Sequence, residues 1–416
     1  MLLILIKIVL PLFIIISLLP FLIWMERKGA AYIQDRPGPN RACIKGIRAG
    51  GLVHSLADVL KLFFKEEIIP AHVNKPIYLL APGIAIFVAF VTFVVVPFAA
   101  PLPLHGGSFT FQAADLSIGL LYVLAMSSLA VYSIMLAGWS SNNKYALLGG
   151  VRSTAQMISY ELAMGLAIVA VIMMSGSFKL NDIVTLQSAQ VWHWNFLTQP
   201  VACLIFIVSA FAETNRAPFD LPEGESELVA GYHIEYSSMK FAAFFMAEYA
   251  HMVMASMLIT TLFFGGWQVP FVATETLREN ANTILYWVLA GLAVFLFLAG
   301  LSLVTKYKKN RYGDKRDYEV LVFGIPALLL SLLLALGLLF SGVFAFDEST
   351  RLIIAAVFQI LTFLLKVLFF CWVFIWVRWT VPRFRYDQLM NLGWKYMLPI
   401  AMVNIVVYAV ALLWVN

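Results

Sequence analysis

Charge is the first thing this chain has little of. Only 12% of its 416 residues are Asp, Glu, Lys or Arg, against 62% hydrophobic residues, and the mean hydropathy is +0.88. That balance excludes an ordinary soluble domain and calls for a membrane protein with many spans. Backbone facing lipid must satisfy its hydrogen bonds internally, so the spans are read as helices and the fold class as all-α and polytopic. Cysteine is also scarce. Cys43, Cys203 and Cys371 are far apart, with no CxxC pair, which argues against a protein-ligated zinc or iron–sulfur site and against a disulfide framework. The six histidines are scattered. Only His251 falls at membrane depth, without the partner that a haem would want. The chain therefore reads as holding no metal and no redox centre of its own. A net charge of +5 comes from Lys and Arg flanking the spans and does not suggest nucleic acid. No catalytic triad, P-loop or dinucleotide fingerprint stands out, and Gly106-Gly107 and Gly149-Gly150 read as isolated turn signals.

What the chain has is a series of apolar runs of about 20 residues. The first, Leu2 to Trp24, is too long for a signal-peptide core and lacks a small-residue cleavage site, so it is expected to remain as a span. The others fall near 77–98, 114–138, 157–175, 197–212, 240–264, 284–304, 321–345, 353–377 and 396–415, giving about ten spans. Lys and Arg crowd alternate loops: 25–76, the loop with Lys144 and Arg152, that with Arg216 and Lys240, the cluster from Lys306 to Arg316, and that with Arg378, Arg383, Arg385 and Lys395. The positive-inside rule puts those loops in the cytoplasm and both termini outside.

The 25–76 loop has internal order. ERKGAAYIQDRPGPNRA is rich in turn residues, and Leu52 to Glu67 has helical period. Leu52, Leu56, Leu60 and Phe63 share one side, and His54, Asp58, Lys61 and Lys65 another, as in an amphipathic helix at a membrane interface.

Acids concentrate in one place. The stretch Ala212 to Tyr236, AETNRAPFDLPEGESELVAGYHIEY, holds Glu213, Asp220, Glu223, Glu225, Glu227 and Glu235 with one base, Arg216. Clustered like charges disfavour joint ionisation, which is one way to build groups that exchange protons near neutral pH. A solvated acidic loop is the plainer reading, but Pro218, Pro222 and Gly224 break helix here while apolar residues stay interleaved. Beyond the loop, Glu161, Glu248 and Lys366 sit within spans and Glu213 ends one. A charge at the bilayer centre costs at least about 2.5–3.5 kcal/mol, so such residues face protein or water. Polar contact between helices is the structural alternative. Three carboxyls on successive spans beside an acidic loop favour a proton path, with Lys366 as a counter-ion the lesser reading.

ERKGAAYIQDRPGPNR, LADVLKLFFKE, GWSSNNKYALLGGVRSTAQMISYE, AETNRAPFDLPEGESELVAGYHIEY, FFMAEY and PRFRYDQLMNLGWK follow one another in this order. Together they closely resemble the ND-one (H-subunit) family, the membrane component that joins the membrane and hydrophilic arms of NADH:quinone oxidoreductase (respiratory complex I). The resemblance covers roughly residues 1–275 and 350–416. It implies helices walling a quinone tunnel, closed by hydrophilic-arm subunits that carry the terminal iron–sulfur cluster. The substrate would be a quinone, ubiquinone or menaquinone, with flavin and iron–sulfur clusters in partner subunits. Small membrane subunits, antiporter-like subunits and the lipid bilayer would be the other neighbours. Arg36 and Asp58 match family positions along the tunnel, and Arg216 and Asp220 match the cytoplasmic loop that responds to quinone chemistry, where they would pair with its acids; all four are expected to bind the quinone. Glu161, Glu213, Glu223, Glu227 and Glu248 match acids proposed to carry coupling, and Glu225 stands in the same acidic run.

One departure is visible. Eight spans are common in the family, and this chain carries an extra helical hairpin at 283–350, between a core over 1–282 and a final pair of helices over 351–416. The hairpin reads as a peripheral lipid-facing addition, the alternative being an extra contact to a neighbouring subunit or anionic lipid. The expectation is a proton-translocating membrane subunit in a bacterial cell inner membrane, with both termini periplasmic. A homologous subunit of a membrane-bound hydrogenase or of a ferredoxin- or deazaflavin-dependent dehydrogenase is the nearest alternative, and a stand-alone secondary transporter a remote one.

Overall fold

The computed structural model describes residues 2–104, 107–220, 231–307, 315–341 and 346–415. Glu223, Glu225 and Glu227 lie outside them. In chain order the helices are α1 (Leu2–Ile33), α2 (Val53–Phe64), α3 (Lys75–Val91), α4 (Gly119–Ser140), α5 (Lys144–Ser175), α6 (Leu180–Leu186), α7 (Asn195–Thr198), α8 (Pro200–Glu213), α9 (Ser238–Phe263), α10 (Thr274–Glu279), α11 (Ala281–Thr305), α12 (Glu319–Ser341), α13 (Glu348–Thr380), α14 (Tyr386–Asn391) and α15 (Leu398–Val415). A π-helical segment, Leu392–Met397, joins the last two. Among the described residues the only strands are β1 (Leu102–Leu104) and β2 (Gly107–Phe109), an antiparallel pair that Gly107 opens on the β2 side.

Nine helical stretches among the described residues are long and apolar enough to cross a membrane. The tenth expected span is α8, which has 14 residues. At a rise of about 1.5 Å per residue it falls short of a hydrocarbon core of about 30 Å. Two other boundaries differ from expectation. The first helix continues past Trp24 to Ile33, through Glu26, Arg27 and Lys28. The fourth span begins at Lys144 rather than near 157, so Arg152 is helical. In each case charge alone marks the helix end wrongly, because burial, or a helix end protruding from the apolar layer, accommodates it. The start of α5 is set by Asn143, whose side chain accepts from the Tyr145 N–H, and its end by Gly176 in the left-handed region.

Gly149 and Gly150 are not turn residues. They lie inside α5, where they let backbone approach backbone. A Cβ on Gly149 would stand 2.8 Å from Gly231 Cα, and one on Gly138 of α4 would stand 2.7 Å from the Ala146 carbonyl oxygen. Small residues allow such crossings when apolar burial does not drive helices together.

The helix α9 is central and the most thoroughly buried, with α1, α2, α3, α6, α8 and α13 against it. Polar contacts gather the charged loops at one end of the bundle. Asn142 donates to the His72 carbonyl at 3.2 Å, Asn143 to Glu235 at 2.8 Å, and Lys240 pairs with Glu67. At the other end, Lys7 donates to Thr110 at 3.1 Å and Lys179 pairs with Asp115 at 2.8 Å.

Candidate functional site

The turn after α1 and the helix α2 wall a cavity of about 760 Å³. Its lining includes Arg36, Asn40, His54, Asp58 and Lys61 on one side, and Phe241, Phe245 and Tyr249 of α9 on the other, with Glu26, Arg378 and Trp379. The α2 helix has the predicted two faces. Leu52, Leu56, Leu60 and Phe63 are exposed, while His54, Asp58 and Lys61 line the cavity. Asp58 pairs with Arg27 at 2.5 Å, and Arg36 donates to Gln34 at 2.7 Å. Apolar walls with a few convergent polar groups suit an organic ligand with a polar head.

Behind this cavity lies a buried charge cluster centred on Arg216, whose side chain is fully buried. Its guanidinium contacts Glu26 at 2.8 Å and Glu248 at 2.9 Å. Arg378 meets the other oxygen of Glu26 at 2.8 Å, and the Tyr249 hydroxyl donates to Glu26 at 2.7 Å. The guanidinium also lies over the Tyr249 ring, 4.3 Å from its centre. Burial works against the charge on Arg216, but Glu26 and Glu248 outweigh it and raise its pKa above the ordinary value. Glu26, Tyr249 and Arg378 belong both to this cluster and to the cavity wall. Sequence reasoning missed all three, since Glu26 and Arg378 look like loop charges flanking spans. The one available signal is that Glu26 continues the period of the first helix, with its run of small residues at Gly29, Ala30 and Ala31.

On the far side of Arg216, Glu248 opens onto a second, small cavity of about 40 Å³ shared with Glu213, His251, Ser133 and Asn215. A space of this size in polar surroundings has room for water, which needs about 15 Å³. Glu213 lies within electrostatic reach of Ser127 and Glu161, and the Ser128 hydroxyl donates to Glu161. Glu161, Glu213 and Glu248, which stand out in the sequence for the cost of burying them, therefore form a series across α9, α8, α4 and α5. It starts at the Arg216 cluster behind the large cavity.

Other expected residues fall elsewhere. Asp220 is buried and paired with Arg383 at 2.9 Å, and neither Asp220 nor Arg216 lines the large cavity. Lys366 lies apart from the carboxyl series. Its ammonium donates to the carbonyls of Phe264, Gly266 and Gln268 at 2.9, 3.0 and 2.8 Å and lies over the Trp194 ring. These contacts tie down the turn that follows α9.

The family model described as NADH dehydrogenase matches residues 6–409. The chain is 43% identical over 406 residues to an NADH-quinone oxidoreductase H subunit of Solibacter usitatus, covering 96% of this chain and 94% of that one. It is 44% identical over 404 residues to the corresponding H subunit of Leptospira biflexa, covering 95% and 90%. It is 43% identical over 390 residues to NADH-quinone oxidoreductase subunit 8 of Rhodothermus marinus, covering 93% and 91%. These matches run nearly end to end and agree with the helical membrane architecture: the chain belongs to the family of H subunits of NADH-quinone oxidoreductase and is a membrane component of that multi-subunit enzyme.

Proposed function

We propose that the large cavity is part of the quinone-binding tunnel, and that the chain couples quinone reduction to proton translocation through its buried carboxyls. The observation that carries this reading is the position of Arg216. It bridges Glu26, on the wall of the large cavity, to Glu248, on the wall of the small one.

Reduction of a quinone to a quinol takes two electrons and two protons. The electrons would come from an iron–sulfur cluster in a hydrophilic-arm subunit that closes the tunnel head. This chain receives the lipophilic tail between α2 and α9, and Arg36 and Asp58 give polar contacts to the head group. Negative charge arriving in the cavity, or protons withdrawn from its walls, changes the balance around Glu26, Tyr249 and Arg378. Arg216 is shared by two carboxylates, so a weaker hold from one side strengthens its hold on the other. The stronger hold favours the carboxylate form of Glu248, which is then driven to release a proton through the small cavity toward Glu213, and from there toward Glu161 on α5. That face would pass the charge to small membrane subunits and antiporter-like subunits. The acidic stretch with Glu223, Glu225, Glu227 and Asp220 would be the segment that responds to the head group.

The positive-inside pattern and the gathering of charged loops at one end of the bundle support an inner-membrane orientation with both termini periplasmic. The test of the coupling route is carboxyl neutralisation in the assembled enzyme. Glu213→Gln and Glu227→Gln should impair coupled turnover while leaving NADH oxidation by an artificial acceptor intact. Full quinone reduction with full pumping in both variants would refute the route.

A further inference from the structure

The hairpin of α11 and α12 is tied to the rest of the bundle. The two helices pack closely where Gly300 meets Gly324: a Cβ on Gly300 would stand 3.0 Å from the Gly324 carbonyl oxygen. Much of the outer surface of both helices is exposed. The residue that opens α12 is different. Glu319 is only 7% exposed, and its partner Arg48, in the turn between α1 and α2, is 8% exposed. One carboxylate oxygen of Glu319 accepts from the backbone N–H of Arg48 at 3.1 Å and of Gly50 at 3.4 Å. The other meets Arg48 Nε at 2.6 Å. The same guanidinium donates through Nη1 to the Asn40 side-chain oxygen at 2.6 Å. Asn40 lines the large cavity beside Arg36, Gly38, Pro39 and Arg41.

Further contacts among the described residues hold the same segment. Trp24 Nε1 donates to the Gly50 carbonyl at 3.1 Å, and the Ala42 N–H donates to His54 Nε2 at 3.3 Å. Gly51 lies against the Pro39 carbonyl, where a Cβ would stand 2.5 Å from the oxygen at a φ of +104°. A buried charge-assisted contact that takes two backbone N–H groups and a guanidinium is the strongest hold in this set. It crosses 271 positions of sequence and links the hairpin to the cavity wall.

We infer that the 283–350 hairpin is a positioning element for the quinone site: Glu319 fixes the Asn40–Gly51 segment through Arg48, and so sets the shape of the cavity wall that carries Arg36 and Asn40. This rests on the reading of the cavity as part of the quinone tunnel. It replaces the expectation of a peripheral addition. Glu319 and Arg48 touch no reacting atom and act through the wall.

The test uses the assembled enzyme with Glu319→Ala. Glu319→Gln, which keeps an oxygen for the two backbone N–H groups, replaces it if the alanine variant does not assemble. Two quantities are read: hydrogen exchange of the backbone amides over 40–51, and KM and kcat with a short-chain quinone. A second variant, Phe241→Trp, narrows the cavity from its opposite wall and reports on the cavity itself. The expected result is faster exchange over 40–51 and a several-fold higher quinone KM with a smaller change in kcat, while NADH oxidation by an artificial acceptor stays at the wild-type rate. Unchanged exchange would overturn the brace. Faster exchange with an unchanged KM, when Phe241→Trp does raise KM, would show that the brace does not serve the quinone site. An unchanged KM in Phe241→Trp would remove the cavity reading itself, and with it the inferred role.

Discussion

Arg216 Nη1 lies 2.8 Å from Glu26 Oε2, across 190 positions of sequence and against a helix end that charge alone would assign to a loop. The contact lies behind the wall of the large cavity that Glu26 lines, and it places a permanent cation between two carboxylates. Breaking a buried pair by removing one partner leaves an uncompensated charge and costs about 3–5 kcal/mol. Arg216→Met is therefore expected to lower the melting temperature of the isolated enzyme or prevent its assembly. Adding Glu248→Gln to that variant should restore part of the loss, because Glu26 keeps Arg378 as a partner while Glu248 loses the guanidinium. A single variant as stable as the wild type would mean that the cluster holds its charges by other means.

Lys366 separates a structural ammonium from a coupling one. Its three carbonyl partners would be left without their donor in Lys366→Met, at a cost of about 1–3 kcal/mol for buried acceptors. The expected outcome is reduced thermal stability with an unchanged proton yield per electron in the enzyme that does assemble. A specific loss of proton yield at normal stability would return Lys366 to the coupling machinery.

Gly149→Ala tests the contact between α5 and the turn that starts at Gly231. The added methyl would meet backbone atoms of Gly231 and Tyr232 at 2.8–2.9 Å, and neither partner is the free end of a side chain. Overpacking of this kind costs about 1–3 kcal/mol. Thermal denaturation should show the loss, and quinone-reductase activity should fall with it because Tyr232 also borders the small cavity. Wild-type stability would show that the α5 contact yields easily.

His233 gives a pH dependence of known sign. Burial among Tyr232, Phe241 and Phe245 lowers its pKa from 6.5 to about 4. The unfolded chain then binds the proton first as pH falls, so the contribution to stability is complete above about pH 6.5 and is lost progressively down to about pH 4. The loss can reach about 3 kcal/mol, at 1.36 kcal/mol for each tenfold change in proton affinity. Protection factors of the 231–236 amides, which allow for the slower intrinsic exchange at lower pH, should fall over that interval, and His233→Phe should flatten the response. An equal response in the variant would assign the effect to other groups.

Much of this site is legible in the sequence because burying charge is expensive. Glu161, Glu213 and Glu248 stand out in apolar runs, and they lie in one series in the fold. The two faces of α2 are legible too, since spacings of three and four put His54, Asp58 and Lys61 on the side opposite the leucines. Glu26 and Arg378 are not legible. Each sits at the end of an apolar run, where a solvated flanking charge and a buried ion pair look alike. What distinguishes them is a shared set of partners on distant helices and loops, which no local pattern reveals. The contact made by the hairpin is hidden for the same reason: Glu319 stands among the charges of a basic loop, and nothing nearby in sequence shows that it reaches Arg48.

The measurement that tests the central claim most directly is the proton yield per NADH oxidised by the whole enzyme in sealed proteoliposomes, for the wild type and for Glu213→Gln and Glu248→Gln. Loss of a positioned proton-transfer group lowers rates by about 10²–10⁴. The predicted result is a collapse of proton yield or of coupled quinone turnover in both variants, with NADH oxidation by an artificial acceptor unchanged. Wild-type turnover and proton yield in both would contradict the coupling route, and would leave the buried carboxyls as supports of the fold alone.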